Sequence, residues 1–227
     1  MNPASIYDTV EPVNSLDSEG GNSPSVISLR QPDGLIGDAD IRPALRMRLR
    51  SGPAFDDDTA IIEELGICRG QVRIDLAVVN GTIHGYEIKS ERDSLRRLAA
   101  QAAVYSRVLD HVTVVVAARH VAHALTIIPS WWGVLRFESA AGSLRFVCMR
   151  RGRMNPGLDS RALVELLWLD DSIALLEKHN SARGVKGKPR RVVWDRVCGT
   201  VAVDEIASAV RARLKARAAQ PVAPQLS

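Results

Sequence analysis

Two extended runs, VRIDLAVV (72–79) and IHGYEIK (83–89), constrain the fold more tightly than any other part of the chain. They flank Asn80-Gly81, a dipeptide that favours tight hairpins, so they read as neighbouring antiparallel strands. Glu87 and Lys89 are two residues apart and share a sheet face, with Tyr86 and Ile88 on the other. A strict two-residue turn would pair Val79 with Thr82 and Asp75 with Tyr86, placing Asp75 on the wrong face to meet them. A one-residue slip inverts every side chain. For Asp75, Glu87 and Lys89 to converge, the turn must be three or five residues long, or a bulge must correct it. Asn80-Gly81 suits a type I turn with a glycine bulge, and Gly85 is a second bulge candidate. A buried Asp, Glu and Lys are costly together unless they bind something that uses all three charges. A divalent metal with an activated water meets that condition.

Asp75, eleven intervening residues and Glu87-x-Lys89 resemble the core of the PD-(D/E)xK nuclease superfamily, with Ile74-Asp75 in place of the proline-aspartate dipeptide. Upstream, an amphipathic helix is predicted over about 57–65, carrying Glu63 and Glu64, where that superfamily supplies a further acid. Downstream, Gln101-Ala-Ala-Val-Tyr105 is similar to the Q-x-x-x-Y element of its RecB-like branch. VTVVVAA follows, apolar on both faces like a buried central strand. The stretches YEIKSERDSLRRLAAQAAVYSRVLD and IPSWWGV are similar to a bacterial family of small PD-(D/E)xK-like proteins. The resemblance covers residues 38–137.

It implies metal-dependent hydrolysis of DNA phosphodiesters, in repair or phage defence. Asp75 and Glu87, with the Ile88 carbonyl and a contribution from Glu64, would hold Mg²⁺, with Mn²⁺ as a possible substitute. Glu63 is the alternative to Glu64. Lys89 would orient or activate the water. Gln101, Tyr105 and Arg97 lie on one stripe of the helix after Lys89, and are expected to bind substrate. The alternative function is an inactive nucleic-acid-binding or partner-binding protein that keeps the fold.

The 227 residues, 46% of them hydrophobic, are enough for a substantial core. No apolar run reaches membrane-spanning length, and the N-terminus lacks a signal pattern. Cys68, Cys148 and Cys198 are widely spaced and odd in number, which fits a reducing cytoplasm better than disulfides or structural zinc. Residues 142–227 carry 16 basic side chains against 8 acidic ones, a balance suited to a polyanionic partner or to a solvated Arg-rich surface.

Three regions are expected: a disordered segment at 1–35, a nuclease-like core at 36–150, and a basic, mostly helical extension at 151–227. Asp40 is a candidate N-cap for a helix over IRPALRMRLRS, and Asp56, Asp57 and Asp58 read as the acidic start of the 57–65 helix. Of Trp131 and Trp132, one is expected to pack inward and one to face out, where stacking on an unpaired base is the functional alternative. His120 and His123 read as surface residues. Helices are expected over about 160–178 and 203–217, joined by a flexible cationic linker, ARGVKGKPRRVVWDR. The fold class is α/β, with a mixed central sheet of restriction-endonuclease-like type flanked by helices.

Overall fold

The computed structural model describes residues 35–140 and 143–220; the segment expected to be disordered at 1–35 lies outside them except for Leu35. One six-stranded mixed sheet organises the chain, in the order β1 (Ala60–Ile67), β2 (Val72–Val79), β3 (Ile83–Lys89), β4 (His111–Ala117), β5 (Gly133–Ala140) and β6 (Ser143–Arg150). The first three strands form an antiparallel meander; β3, β4 and β5 are parallel, and β6 returns antiparallel. The parallel links need crossovers, supplied by α2 (Leu98–Tyr105) and by α3 (Val121–Ile127), which follows a short 3₁₀ turn. All seven residues of β3 and of β4 are buried, as expected of strands covered on both sides.

Helix α1 (Asp38–Arg50) seals one face, packing Ile41 and Leu45 on Leu76, Val78, Tyr86 and Ile88. Helices α2 and α3 cover the other, together with α4 (Ser160–Val164), α5 (Leu169–Lys178), α6 (Arg190–Thr200) and α7 (Val203–Ala219). The C-terminal helices share one apolar core with the sheet, through residues such as Leu163, Trp194 and Val210. Polar ties reinforce this: Asp110 accepts from the Ile83 amide at 2.7 Å and from Arg211 at 3.3 Å.

Several expectations are corrected. The 57–65 segment is strand β1, because Ile61, Ile62, Leu65 and Ile67 pair along β2, and sheet pairing overrides the helix preference of Glu63-Glu64. Asp56 to Asp58 therefore start no helix; Asp56 accepts from the Thr59 hydroxyl, and Asp58 pairs with Lys215. Gly37, not Asp40, caps α1, and Asp40 accepts from the Gly37 amide. Both Trp131 and Trp132 are buried, which removes the base-stacking alternative. The 160–178 helix breaks into α4 and α5, and the second half of the expected linker is α6, anchored by buried Val193 and Trp194.

The hairpin between β2 and β3 takes the register that the charges demand. Val79 pairs with Ile83 across Asn80-Gly81-Thr82, a three-residue connection in which the Asn80 side chain accepts from the Thr82 amide. No glycine bulge is involved, since Gly81 is not among the described glycines with positive φ. Gly85 pairs regularly with Ala77, and its lack of a side chain serves another purpose: an added Cβ would lie 2.5 Å from Leu109 Cδ1.

Candidate functional site

The β2–β3 ladder stops at Leu76–Tyr86, and beyond it the strands splay. Alternation in β2 breaks at the same place: Leu76 packs under α1, yet Ile74 joins the core on the α2 side. Across from Asp75 on β1, Glu64 has φ +52°, a left-handed conformation that non-glycine residues seldom adopt. This kink lets the Asp75 carboxylate enter the gap between the strands. One of its oxygens accepts from the Ile88 amide at 2.6 Å, and the other from Arg42 of α1 at 3.2 Å.

Register continues Asp75 opposite Glu87, whose side chain points to the α2 face and is buried. Lys89 Nζ lies 2.6 Å from one Glu87 oxygen, which also accepts from Gln101 at 2.6 Å. The other accepts from the Tyr105 hydroxyl at 2.8 Å. That hydroxyl is also 2.5 Å from the Arg73 carbonyl, which the splaying of the strands leaves available. The helix after Lys89 thus aims Gln101 and Tyr105, one turn apart, at a single carboxylate.

Electrostatics match this geometry. Burial, then the Glu87 charge, pushes the Asp75 carboxyl up to about 7, against the opposing pull of the Ile88 amide and Arg42. Burial and Glu87 also raise Tyr105, keeping its phenol protonated. Arg42 is raised despite burial, because Glu64, Asp38 and Asp75 surround it.

Asp75, Glu87, Lys89, Gln101 and Tyr105 converge. The Ile88 backbone is at the same point through its amide contact with Asp75. Glu64 reaches the cluster through Arg42, which it meets at 2.6 Å, whereas Glu63 pairs away with Arg46. Tyr105 is fully buried and holds Glu87 rather than lying open to a ligand, a correction to its expected substrate contact. Arg97 is exposed at the N-cap of α2, outside the cluster.

Sequence reasoning missed Arg42. It bridges Asp38, Glu64 and Asp75, and only its spacing of four from Asp38 hinted at a role.

Among the described residues, no three His, Cys, Asp or Glu side chains converge tightly enough to form a metal shell alone. Asp75 and Glu87 are near enough for the Glu87 charge to raise Asp75, but among the described residues they share no hydrogen-bond partner: Arg42 and the Ile88 amide hold the first, Lys89, Gln101 and Tyr105 the second. Four carboxylates (Asp38, Glu64, Asp75 and Glu87) face two cations, Arg42 and Lys89, which leaves an excess of negative charge.

A protein of unknown function from Silicibacter pomeroyi aligns over 66% of this chain and 90% of its own, at 19% identity and a TM-score of 0.36, too low to carry an argument. Protein cII of enterobacteria phage P4 is 35% identical over 97 residues; the match spans 43% of this chain but only 37% of that protein. The bacteriophage P4 protein cII family model matches residues 38–221, a span that takes in every helix and strand from α1 to α7, and the chain belongs to that family.

Proposed function

We propose that this member of the cII family is a metal-dependent nuclease that hydrolyses phosphodiester bonds of DNA in the cytoplasm. The observation that carries this reading is Asp75 set opposite Glu87 at the splayed end of two strands, with Lys89 on one and a helix bracing Glu87. The raised Asp75 carboxyl supports it, since a buried pair of acids with surplus negative charge favours a cation. Mg²⁺ suits such a donor set, because it is often held by one or two carboxylates and completes its shell with water and phosphate oxygens.

Asp75, Glu87 and the Ile88 carbonyl would hold Mg²⁺ or Mn²⁺, with Glu64 contributing from β1. The bound ion would lower the pKa of a water and offset charge on the phosphorus oxygens in the transition state. Lys89, whose ammonium lies 2.6 Å from Glu87, orients or activates the attacking water. Gln101 and Tyr105 fix the rotamer of Glu87 and act as positioning residues. Arg42 holds Asp75 and Glu64 from the α1 side, where it can also meet a phosphate oxygen.

The test uses purified protein with single-stranded, double-stranded and branched DNA, in Mg²⁺, Mn²⁺ or EDTA, beside Asp75→Ala and Lys89→Ala variants. Metal-dependent cleavage should fall at least about 100-fold in either variant. Equal cleavage by wild type and variants would refute the reading. DNA binding without cleavage in either metal would favour the non-cutting, nucleic-acid-binding alternative.

A further inference from the structure

A groove of about 630 Å³ opens between the segment after β3 and the segment after β4. Its walls carry Arg96, Arg119, His120 and His123, with Leu95 and Ile127 also lining it. The one acid in the lining, Asp93, is already engaged: its Oδ2 accepts from both the amide and the hydroxyl of Ser90. Among the described residues neither Arg96 nor Arg119 forms an ion pair with a carboxylate, although most arginines of the C-terminal helices do. Arg119 Nε instead points at His120 Nε2, 3.3 Å away. Two guanidiniums and two imidazoles thus line one concavity against the single carboxylate of Asp93, which leaves a net positive charge. Such an arrangement has electrostatic energy to gain from an anion.

Topology sets this groove beside the Asp75–Glu87 site. Lys89 and Val116 are paired neighbours on parallel strands, and both chains run on into the groove within a few residues. Ligands of parallel sheets bind at the carboxyl ends of the strands, as this groove does. Helix α2 forms the boundary: Gln101 turns towards Glu87, and Ala99, on the opposite side of the helix, turns towards the groove.

We propose that this groove binds the sugar–phosphate backbone of the nucleic-acid strand at phosphates flanking the one under attack. The proposal rests on the nuclease reading for its ligand, yet it concerns different residues and can fail separately. Arg96 and Arg119 clamp phosphate oxygens with their forked donors, and His120 and His123 donate to the same strand. No base edge is read here, so binding through the groove is independent of sequence and sensitive to salt.

The experiment measures binding of a fluorescein-labelled single-stranded oligonucleotide to Asp75→Asn protein by anisotropy, in a salt series without divalent metal. The Arg96→Ala/Arg119→Ala double variant is compared with a control, Arg145→Ala/Arg191→Ala, which removes two exposed arginines elsewhere. A rise in Kd of about 10-fold or more, with a salt slope shallower by about 1–2, is expected for the groove variant alone. An unchanged Kd, or equal loss in the control, overturns the proposal. Inorganic phosphate as competitor separates sources: displacement only at the general ionic-strength effect supports a strand-binding channel, whereas displacement at low phosphate concentration marks a free-anion site and refutes it. Groove-dependent binding in a protein that never cuts would retire the nuclease reading and leave the groove standing. Cleavage with KM unchanged in the groove variant would do the reverse.

Discussion

The substitution Asp75→Asn should make the protein more stable while removing the proposed activity, and the effect should depend on pH. Burial and the Glu87 charge raise the folded-state carboxyl from 3.8 to about 7. The folded chain therefore binds this proton more tightly than the unfolded chain does. Stability is full below about pH 4, falls as the pH rises through the folded value, and is flat above it. The ionisation cost reached by pH 8 is about 4 kcal/mol, at about 1.4 kcal/mol per tenfold change in proton affinity. Asparagine keeps an oxygen for the Ile88 amide and is never ionised. It weakens the contact to Arg42, but that guanidinium retains Asp38 at 3.0 Å and Glu64 at 2.6 Å. A loss of about 1–2 kcal/mol there leaves a net gain of about 2–3 kcal/mol at pH 8. Urea denaturation of wild type and variant at pH 4.5 and pH 8 measures it. The variant should lead at pH 8, by about 4–10 °C if melting is followed instead, and should be level or slightly behind at pH 4.5. Mg²⁺ should raise the melting temperature of the wild type and not of the variant. A variant less stable at pH 8, or a difference independent of pH, refutes the account of a carboxyl held against its ionisation.

Three further outcomes are expected. Glu64→Gly and Glu64→Ala both lose the Arg42 pair, but only glycine accepts φ +52° without strain, so the glycine variant should be the more stable by about 1 kcal/mol in urea titrations. Tyr105→Phe leaves the Arg73 carbonyl and a Glu87 oxygen without the buried hydroxyl, and should cost about 1–3 kcal/mol by chemical denaturation, while slowing metal-dependent cleavage as Glu87 loses its restraint. Gly85→Ala drives a methyl against Leu109 and Ile74 and should cost about 1–3 kcal/mol; Leu109→Ala in the same chain should recover part of that loss, as thermal melts would report.

What the sequence disclosed was carried by periodicity and by charge. Strands β2 to β4 were readable because alternating or continuous apolar runs end at turn residues, and requiring one face for three charged groups narrowed the connection to a three- or five-residue turn or a bulge, of which the three-residue turn is the one present. The Gln101–Tyr105 spacing was legible because a helix brings residues four apart together. Strand β1 was not: Glu63-Glu64 favours a helix locally, and only pairing with β2 makes AIIEELGI a strand. Nor was α6, where Gly, Pro and basic residues mask a short apolar stripe that Val193, Trp194 and Val197 bury. Arg42 was invisible for a related reason. Its partners lie on β1 and β2, and no local pattern announces a contact between residues 22 and 33 positions apart.

Several unfavourable features coincide at this one point of the fold. Glu64 is held in a left-handed conformation, Asp75 carries its charge only against burial and Glu87, and Lys89 and Glu87 are withdrawn from water together. Each costs on the order of 1–4 kcal/mol, a large share of the net stability of a typical domain. They persist because the site is over-determined from three sides: α1 through Arg42, α2 through Gln101 and Tyr105, and the β3 backbone through the Ile88 amide. A core under selection for stability alone would replace the buried Glu87–Lys89 pair with apolar residues, as Val114 and Val116 already do next door on β4. Strain, a carboxyl whose pKa is raised and surplus negative charge gathered where two strands part are instead what the proposed capture of a cation and a phosphate would use.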